Sequence, residues 1–346
     1  MKALIYHGPE DVRYETVADP APRDRNGAVV RVTHAGICGS DLHVYHGHNV
    51  KEPNFCIGHE AIGEVAEVGG EVSRWRPGDK VLIAAGVRCG RCDACSTGYP
   101  ACQVQKAWVY GLGPELPGSQ AEAVAVPFAD TNLVRIPDGV SDENALLLAD
   151  CANTAWYGAQ KARIAPGATV AVIGLGPIGQ VAVLAAKLQG ASRVLAVDPV
   201  PERRAQAEAL GAEAFTPEAA AEEILARAPR GVPSVVDAAG TDQTIDLALR
   251  VVGLRGTVSV IGLSQSRRYA YPMQRAQMLS IDFHIGLATG EHTMGLFDLM
   301  AAGRFDPSVV ISHRLPLSEG PTAYEMFAGR RDGVTKIVFN PAGSVA

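Results

Sequence analysis

The stretch from Gly36 to Glu60 gathers Cys38, Ser40, Asp41, His43, His59 and Glu60 within a short span. A thiolate, imidazoles and carboxylates together suit zinc, whereas calcium and magnesium prefer shells made wholly of oxygen. One stretch supplies part of a site, so another segment has to bring at least one more ligand. A second cluster follows, with Cys89, Cys92, Cys95 and Cys102 in the lobe 86–103. Three cysteines at three-residue steps with a fourth soon after can close a tetrahedral four-sulfur shell. A closed shell has no place for substrate, so this lobe is expected to hold a structural zinc.

Further on, Gly174-Leu-Gly176-Pro177-Ile178-Gly179 fits the pattern G-x-G-x-x-G. It follows an apolar strand, Thr169 to Ile173, and opens a helix running from Pro177 to Gln189. Asp198 comes 19 residues after Gly179, at the end of the next strand. That context is what a dinucleotide-binding turn requires. The first glycine permits the tight turn, the second admits the pyrophosphate, and the third lets helix and strand approach closely. The helix N-terminus offers amide donors and positive dipole to the phosphates. Asp198 is expected to accept from the ribose hydroxyls and to repel a 2′-phosphate, which favours NAD over NADP. Arg203, just beyond, is a further cofactor-site candidate that would soften this discrimination.

These groups need elements to hold them. Up to about residue 150 the pattern is of short strands broken by turns, including 28–33, 61–68, 80–83, 120–127 and 132–136. From 142 to 161 the pattern is helical, carrying Asp150 and Cys151. After 168, strands and helices alternate, which calls for a parallel sheet covered on both faces. A tail beyond about 290 has helical patterns at 294–302 and near Tyr324, then a last strand, 336–339. The expected class is therefore α/β, a β-rich domain joined to a doubly wound parallel sheet.

With 346 residues the chain has room for two domains of ordinary size. A net charge of -6, with no run of Lys and Arg, leaves no electrostatic footprint for nucleic acid. The N-terminus turns polar too soon for a signal peptide, and the uncharged run 168–186 is broken by glycines and Pro177, against a membrane span. A cytoplasmic protein with reduced thiols is expected, for which metal binding is the natural use of cysteine.

With Cys-Gly-Ser-Asp-Leu-His at 38–43, Gly-His-Glu at 58–60, the cysteine lobe, Asp150-x-x-x-Thr154 and the glycine turn, the sequence resembles the zinc-dependent medium-chain alcohol dehydrogenases nearly end to end. The resemblance implies a GroES-like catalytic domain, 1–153 and 290–346, and a Rossmann domain, 154–289, with the active site in the cleft between them. It implies Cys38, His59 and Asp150 as catalytic zinc ligands, as in the secondary-alcohol branch, with Cys151 the rival to Asp150. Glu60 would be a fourth ligand or a carboxylate behind the shell, and Asp41 would orient His59. Ser40 would take the alcohol's proton and pass it through the ribose to His43. Thr154, Ile261, Gly262 and Leu263 would border the nicotinamide.

Two zinc ions and NAD are thus the expected cofactors, and interconversion of a secondary alcohol with its carbonyl compound is the expected reaction. Two departures stand out: Asp150 replaces a cysteine common in the family, and Cys95 and Cys102 enclose six residues where seven are usual. A polyol or L-threonine type dehydrogenase is the alternative within the family. A non-catalytic cofactor-binding protein is the alternative outside it, and would not need Ser40 and His43. Tyr45, His46, His48, Phe55, Trp108 and Tyr110 are candidates for lining the substrate pocket. By family analogy the strand near 280–287 would pair across a two-fold axis, giving a dimer or tetramer.

Overall fold

The computed structural model of the protein describes residues 1–48, 50–98, 101–104 and 108–341. The chain divides into two units, Met1–Asn153 with Thr289–Ala346, and Thr154–Ala288.

In the second unit, the inner strands Thr169–Ile173, Arg193–Val197 and Val232–Asp237 are rich in Val, Ala, Ile and Leu and buried on both faces, the signature of a covered parallel sheet. Among the described residues its six strands run in the order Glu213–Phe215, Arg193–Val197, Thr169–Ile173, Val232–Asp237, Val252–Val260, Asp282–Ile285. All neighbouring pairs are parallel. Numbered along the chain this is 3-2-1-4-5-6, the order of the dinucleotide-binding fold. Thr169–Ile173 is central, so the turn leaving it opens at the point where strand order reverses. The fifth strand begins at Val252, and a register shift carries its pairing past Gly253 and Gly256.

In the first unit, a sheet of seven strands among the described residues includes the order Ile311–Pro316, Lys336–Asn340, Ala28–Gly36, Glu60–Val68, Lys80–Ile83, Leu133–Arg135. Ala123–Val126 also pairs with Ala28–Gly36. A smaller sheet joins Asp11–Thr16, Lys2–Gly8 and Phe55–Cys56. The register sets Gly36 beside both Glu60 and Val338. The C-terminal return therefore lies against the strand that leads into Cys38.

One expected helix, 142–161, is two in the structure: Asp142–Leu147, capped by Ser141, and Cys151–Lys161. The first is tightened to a stop by i→i+3 bonds, Leu148 N to Ala145 O at 3.1 Å and Ala149 N to Leu146 O at 2.9 Å. Buried Asn153 fixes the break, donating from Nδ2 to Leu148 O and, at 3.0 Å, to Thr293 Oγ1. Apolar periodicity persists through the break and hides it. The break leaves Asp150 on a turn instead of a helix face. No helix among the described residues is long and apolar enough to cross a membrane.

Candidate active site

Cys38 leaves the end of strand Ala28–Gly36, His59 precedes strand Glu60–Val68, and Asp150 sits on the turn between the two helices. Cys38 Sγ, a His59 ring nitrogen and an Asp150 carboxylate oxygen all lie within 4.8 Å of one another. Asp150 Oδ2 is 3.3 Å from Cys38 Sγ and 3.5 Å from His59 Nε2. Ser40 Oγ is 3.3 Å from both Cys38 Sγ and His59 Nε2. Bonds of about 2.0–2.3 Å to a tetrahedral zinc imply ligand separations of roughly 3.3–3.8 Å. The three groups fit that ion.

The electrostatics fit it too. Burial, Asp150 and Glu60 all push the Cys38 thiol up, so its thiolate needs a cation nearby. Burial opposes charge on His59, but Asp41, Asp150 and Cys38 outweigh it and raise the imidazole well above its ordinary value. These acceptors call for a positive centre where the metal would sit. On the far side of the ring, His59 Nδ1 is 2.9 Å from Asp41 Oδ1, an ion-pair distance, and among the described residues neither buried atom makes a hydrogen bond, so this carboxylate is the group placed to orient the ring.

Glu60, a candidate ligand, lies outside this group. Its carboxylate is paired with Lys336 Nζ, which also donates to Ile37 O at 3.0 Å. Burial pushes the Glu60 carboxyl up against the pull of Lys336. For Lys336, burial works against the charge, but Glu60, Cys151 and Cys38 raise it overall. Cys151 is also outside the group, a buried thiol raised by desolvation. His43 is half-buried, its ring centroid 6.0 Å from that of His48; burial, then His48 and His46, lower its pKa. Among the described residues no direct hydrogen bond joins Ser40 Oγ to His43. Tyr45, Phe55 and Tyr110 belong to the packed core.

The four lobe cysteines also offer sulfurs within 4.8 Å of one another, with Cys89 and Cys95 3.9 Å apart. A tetrahedral zinc–sulfur shell needs separations of about 3.8 Å. The backbone amides of Cys95 and Gln103 hold the Cys92 thiol down to about 6, favouring the thiolate a metal requires. Residues 99 and 100 of this lobe lie outside the described ones.

At the glycine turn, Gly174 has φ +83°, and a Cβ on Gly179 would sit 1.8 Å from Gly174 O. Gly176 faces open space toward Arg203, 4.0 Å from a Cβ built there. Pro177 and Ile178 begin helix Pro177–Leu188. Asp198 braces the turn, Oδ2 accepting from Leu175 N at 2.7 Å and Oδ1 from Val200 N at 2.8 Å. A carboxylate has about four acceptor sites, so capacity remains for hydroxyl donors. Ile261 packs on Gly158, where a Cβ would meet it at 2.5 Å, and Gly262 lies against Ala239 and Gly240. Leu263 is exposed and Thr154 half-buried.

Sequence reasoning missed Lys336, Gln120 and Tyr324. A lysine heading the apolar run Lys-Ile-Val-Phe was the one available signal for the first. Gln120 and Tyr324 gave none, since their partners are remote in sequence.

The sequence matches the alcohol dehydrogenase GroES-like domain over residues 24–138 and the zinc-binding dehydrogenase domain over 177–295. A protein of Mycobacterium tuberculosis named a probable zinc-binding alcohol dehydrogenase is 38% identical, over 99% of this chain and 89% of its own. The structure of an alcohol dehydrogenase from Thermus sp. ATN1 has TM-score 0.93 and 35% identity, covering 98% of this chain and 99% of its own. The apo form of zinc dependent alcohol dehydrogenase 2 from Streptococcus pneumonia has TM-score 0.91 and 32% identity, with full coverage of both, 100% each.

Proposed function

The chain belongs to the zinc-dependent medium-chain alcohol dehydrogenases, and on that premise we propose that it interconverts a secondary alcohol and its ketone using NAD. The observation carrying this reading is the convergence of Cys38, His59 and Asp150. When bound, zinc held by these three supplies a Lewis acid toward the alcohol oxygen, and the nicotinamide supplies the hydride acceptor.

The chain's own groups do the rest. The Cys38 thiolate and Asp150 carboxylate would match the ion's two charges, and His59 would hold it as a neutral imidazole. Ser40 Oγ, next to Cys38 Sγ and His59 Nε2, is within reach of an alcohol proton at this centre. His43, whose lowered pKa keeps it neutral near pH 7, can accept that proton and release it to solvent. Lys336 holds Glu60 as an ion pair beside the ligands. In the second unit the turn Gly174–Gly179 and the start of helix Pro177–Leu188 would receive the pyrophosphate, with Thr154, Ile261, Gly262 and Leu263 around the nicotinamide. The negative charge of Asp198 favours NAD over NADP, against the pull of Arg203. Cys89, Cys92, Cys95 and Cys102 would hold a structural zinc. A cytoplasmic homo-oligomer completes the proposal.

Asp150→Ala should abolish turnover and lower metal content from about two zinc ions per chain to about one, while Cys151→Ala keeps both. Zinc and activity that survive the first change and vanish with the second would sink the ligand assignment. A screen of primary, secondary and poly-alcohols with NAD and NADP tests substrate and cofactor together.

A further inference from the structure

Gln120 is wholly buried and makes three polar contacts. Its Nε2 donates to Gly36 O at 2.8 Å and to Asp41 Oδ2 at 3.4 Å, and its Oε1 accepts the Tyr324 hydroxyl at 2.8 Å. Asp41 Oδ2 also accepts from Cys38 N at 2.9 Å, while Oδ1 faces His59. The Gln120 stem packs beneath Gly58, where a Cβ would lie 2.4 Å from Gln120 Cγ. Gln120 thus bears on His59 twice, through Asp41 and through the preceding residue's backbone.

Tyr324 comes from the C-terminal helix Gly320–Ala328 and has no solvent exposure. Its ring stacks on Tyr45, centroids 5.4 Å apart and planes at 25°. Tyr45 ends the five-residue helix that Asp41 begins. Tyr324 therefore grips both ends of that helix, the first through Gln120 and the second through its ring.

We propose that Gln120 and Tyr324 are positioning residues for the metal ligand His59, fixing its ring through Asp41. The inference rests on the reading of Cys38, His59 and Asp150 as a zinc site. Its logic is one of donors and acceptors. Gly36 O can only accept, so the amide nitrogen must face it and Asp41. That leaves Oε1 pointing into the interior, where an unmet carbonyl is costly, and the Tyr324 proton meets it. Without Tyr324 the carboxamide is no longer held from its oxygen side, Asp41 loses a steady donor, and the imidazole gains freedom. A ligating imidazole that is free to tilt binds metal more weakly.

The test uses the full-length protein, stripped of metal and reloaded with zinc against a competing chelator or with cobalt, whose visible band reports ligand geometry. The signal lost in Asp150→Ala defines the site. Tyr324→Phe and Gln120→Met should each weaken zinc there by about tenfold and shift the cobalt band, in line with the 10- to 100-fold cost of removing a partner behind a ligand. The double variant should be no weaker than Gln120→Met alone. Zinc affinity within about twofold of the parent and an unchanged band in Tyr324→Phe would overturn the proposal. Should Gln120→Met fail to fold, Tyr324→Phe, which removes one oxygen and keeps the ring, decides alone. If Asp150→Ala loses no signal, the zinc reading falls and this inference falls with it.

Discussion

Lys336 is 1% exposed and Glu60 has no exposure, so neither ion has water to fall back on. Removing one member of such a pair leaves the other as an uncompensated buried charge, which costs roughly 3–5 kcal/mol. Lys336→Met should lower the thermal midpoint sharply, and adding Glu60→Gln should recover much of the loss; melting of the two variants checks this. The geometry also explains Gly36, where a Cβ would meet Glu60 Oε2 at 2.5 Å. Cys38, His59 and the four lobe cysteines stand out in the sequence because few residue types can hold zinc. Lys336 lies 276 residues from its partner and Tyr324 lies 204 from Gln120, and contacts at such range leave no local pattern.

At the level of elements, the break between helices Asp142–Leu147 and Cys151–Lys161 gives Asp150 its place. Asn153 holds the break, so Asn153→Ala leaves a buried carbonyl and hydroxyl short of a donor. The expected cost is about 1–3 kcal/mol, together with weaker zinc retention under dialysis against a chelator. The break was not legible, since Leu146 to Ala149 continue the helical apolar pattern. By contrast most of the βαβ alternation was legible, because strand and helix periods differ and glycines punctuate them, while the three-residue strand Glu213–Phe215 and the short helix Met273–Leu279 are too brief to show a period. Glu213 shows how the parallel sheet is fastened at its edge. Hydrogen bonds from Arg193, then Arg227, lower its pKa against the effect of burial. A depressed acid adds stability above its unfolded pKa and loses it as pH falls through the folded value. The melting difference between the parent and Glu213→Gln should therefore be present at pH 7 and shrink below about pH 4.5.

For the molecule as a whole, the proposed function assigns metal binding to the first of the two units and the dinucleotide turn to the second. A ligand that binds only the native state stabilises it by mass action. NAD should slow hydrogen exchange around 173–200, and chelation should speed it around 36–60 and 86–103 with little effect on 173–200. Chelation that speeds exchange around 173–200 as much as around 36–60 would contradict this prediction. The same layout orders events during synthesis. The lobe's sulfurs lie between residues 89 and 102, so the whole of this proposed ligand set is made early in translation. The other site needs Asp150, and its walls need Tyr324 and Lys336 from the final segment of the chain. If both clusters hold zinc as proposed, a ribosome-bound chain that lacks this segment should keep the lobe's metal while holding the second ion weakly, so that loading of the second zinc would wait until the last strand is in place.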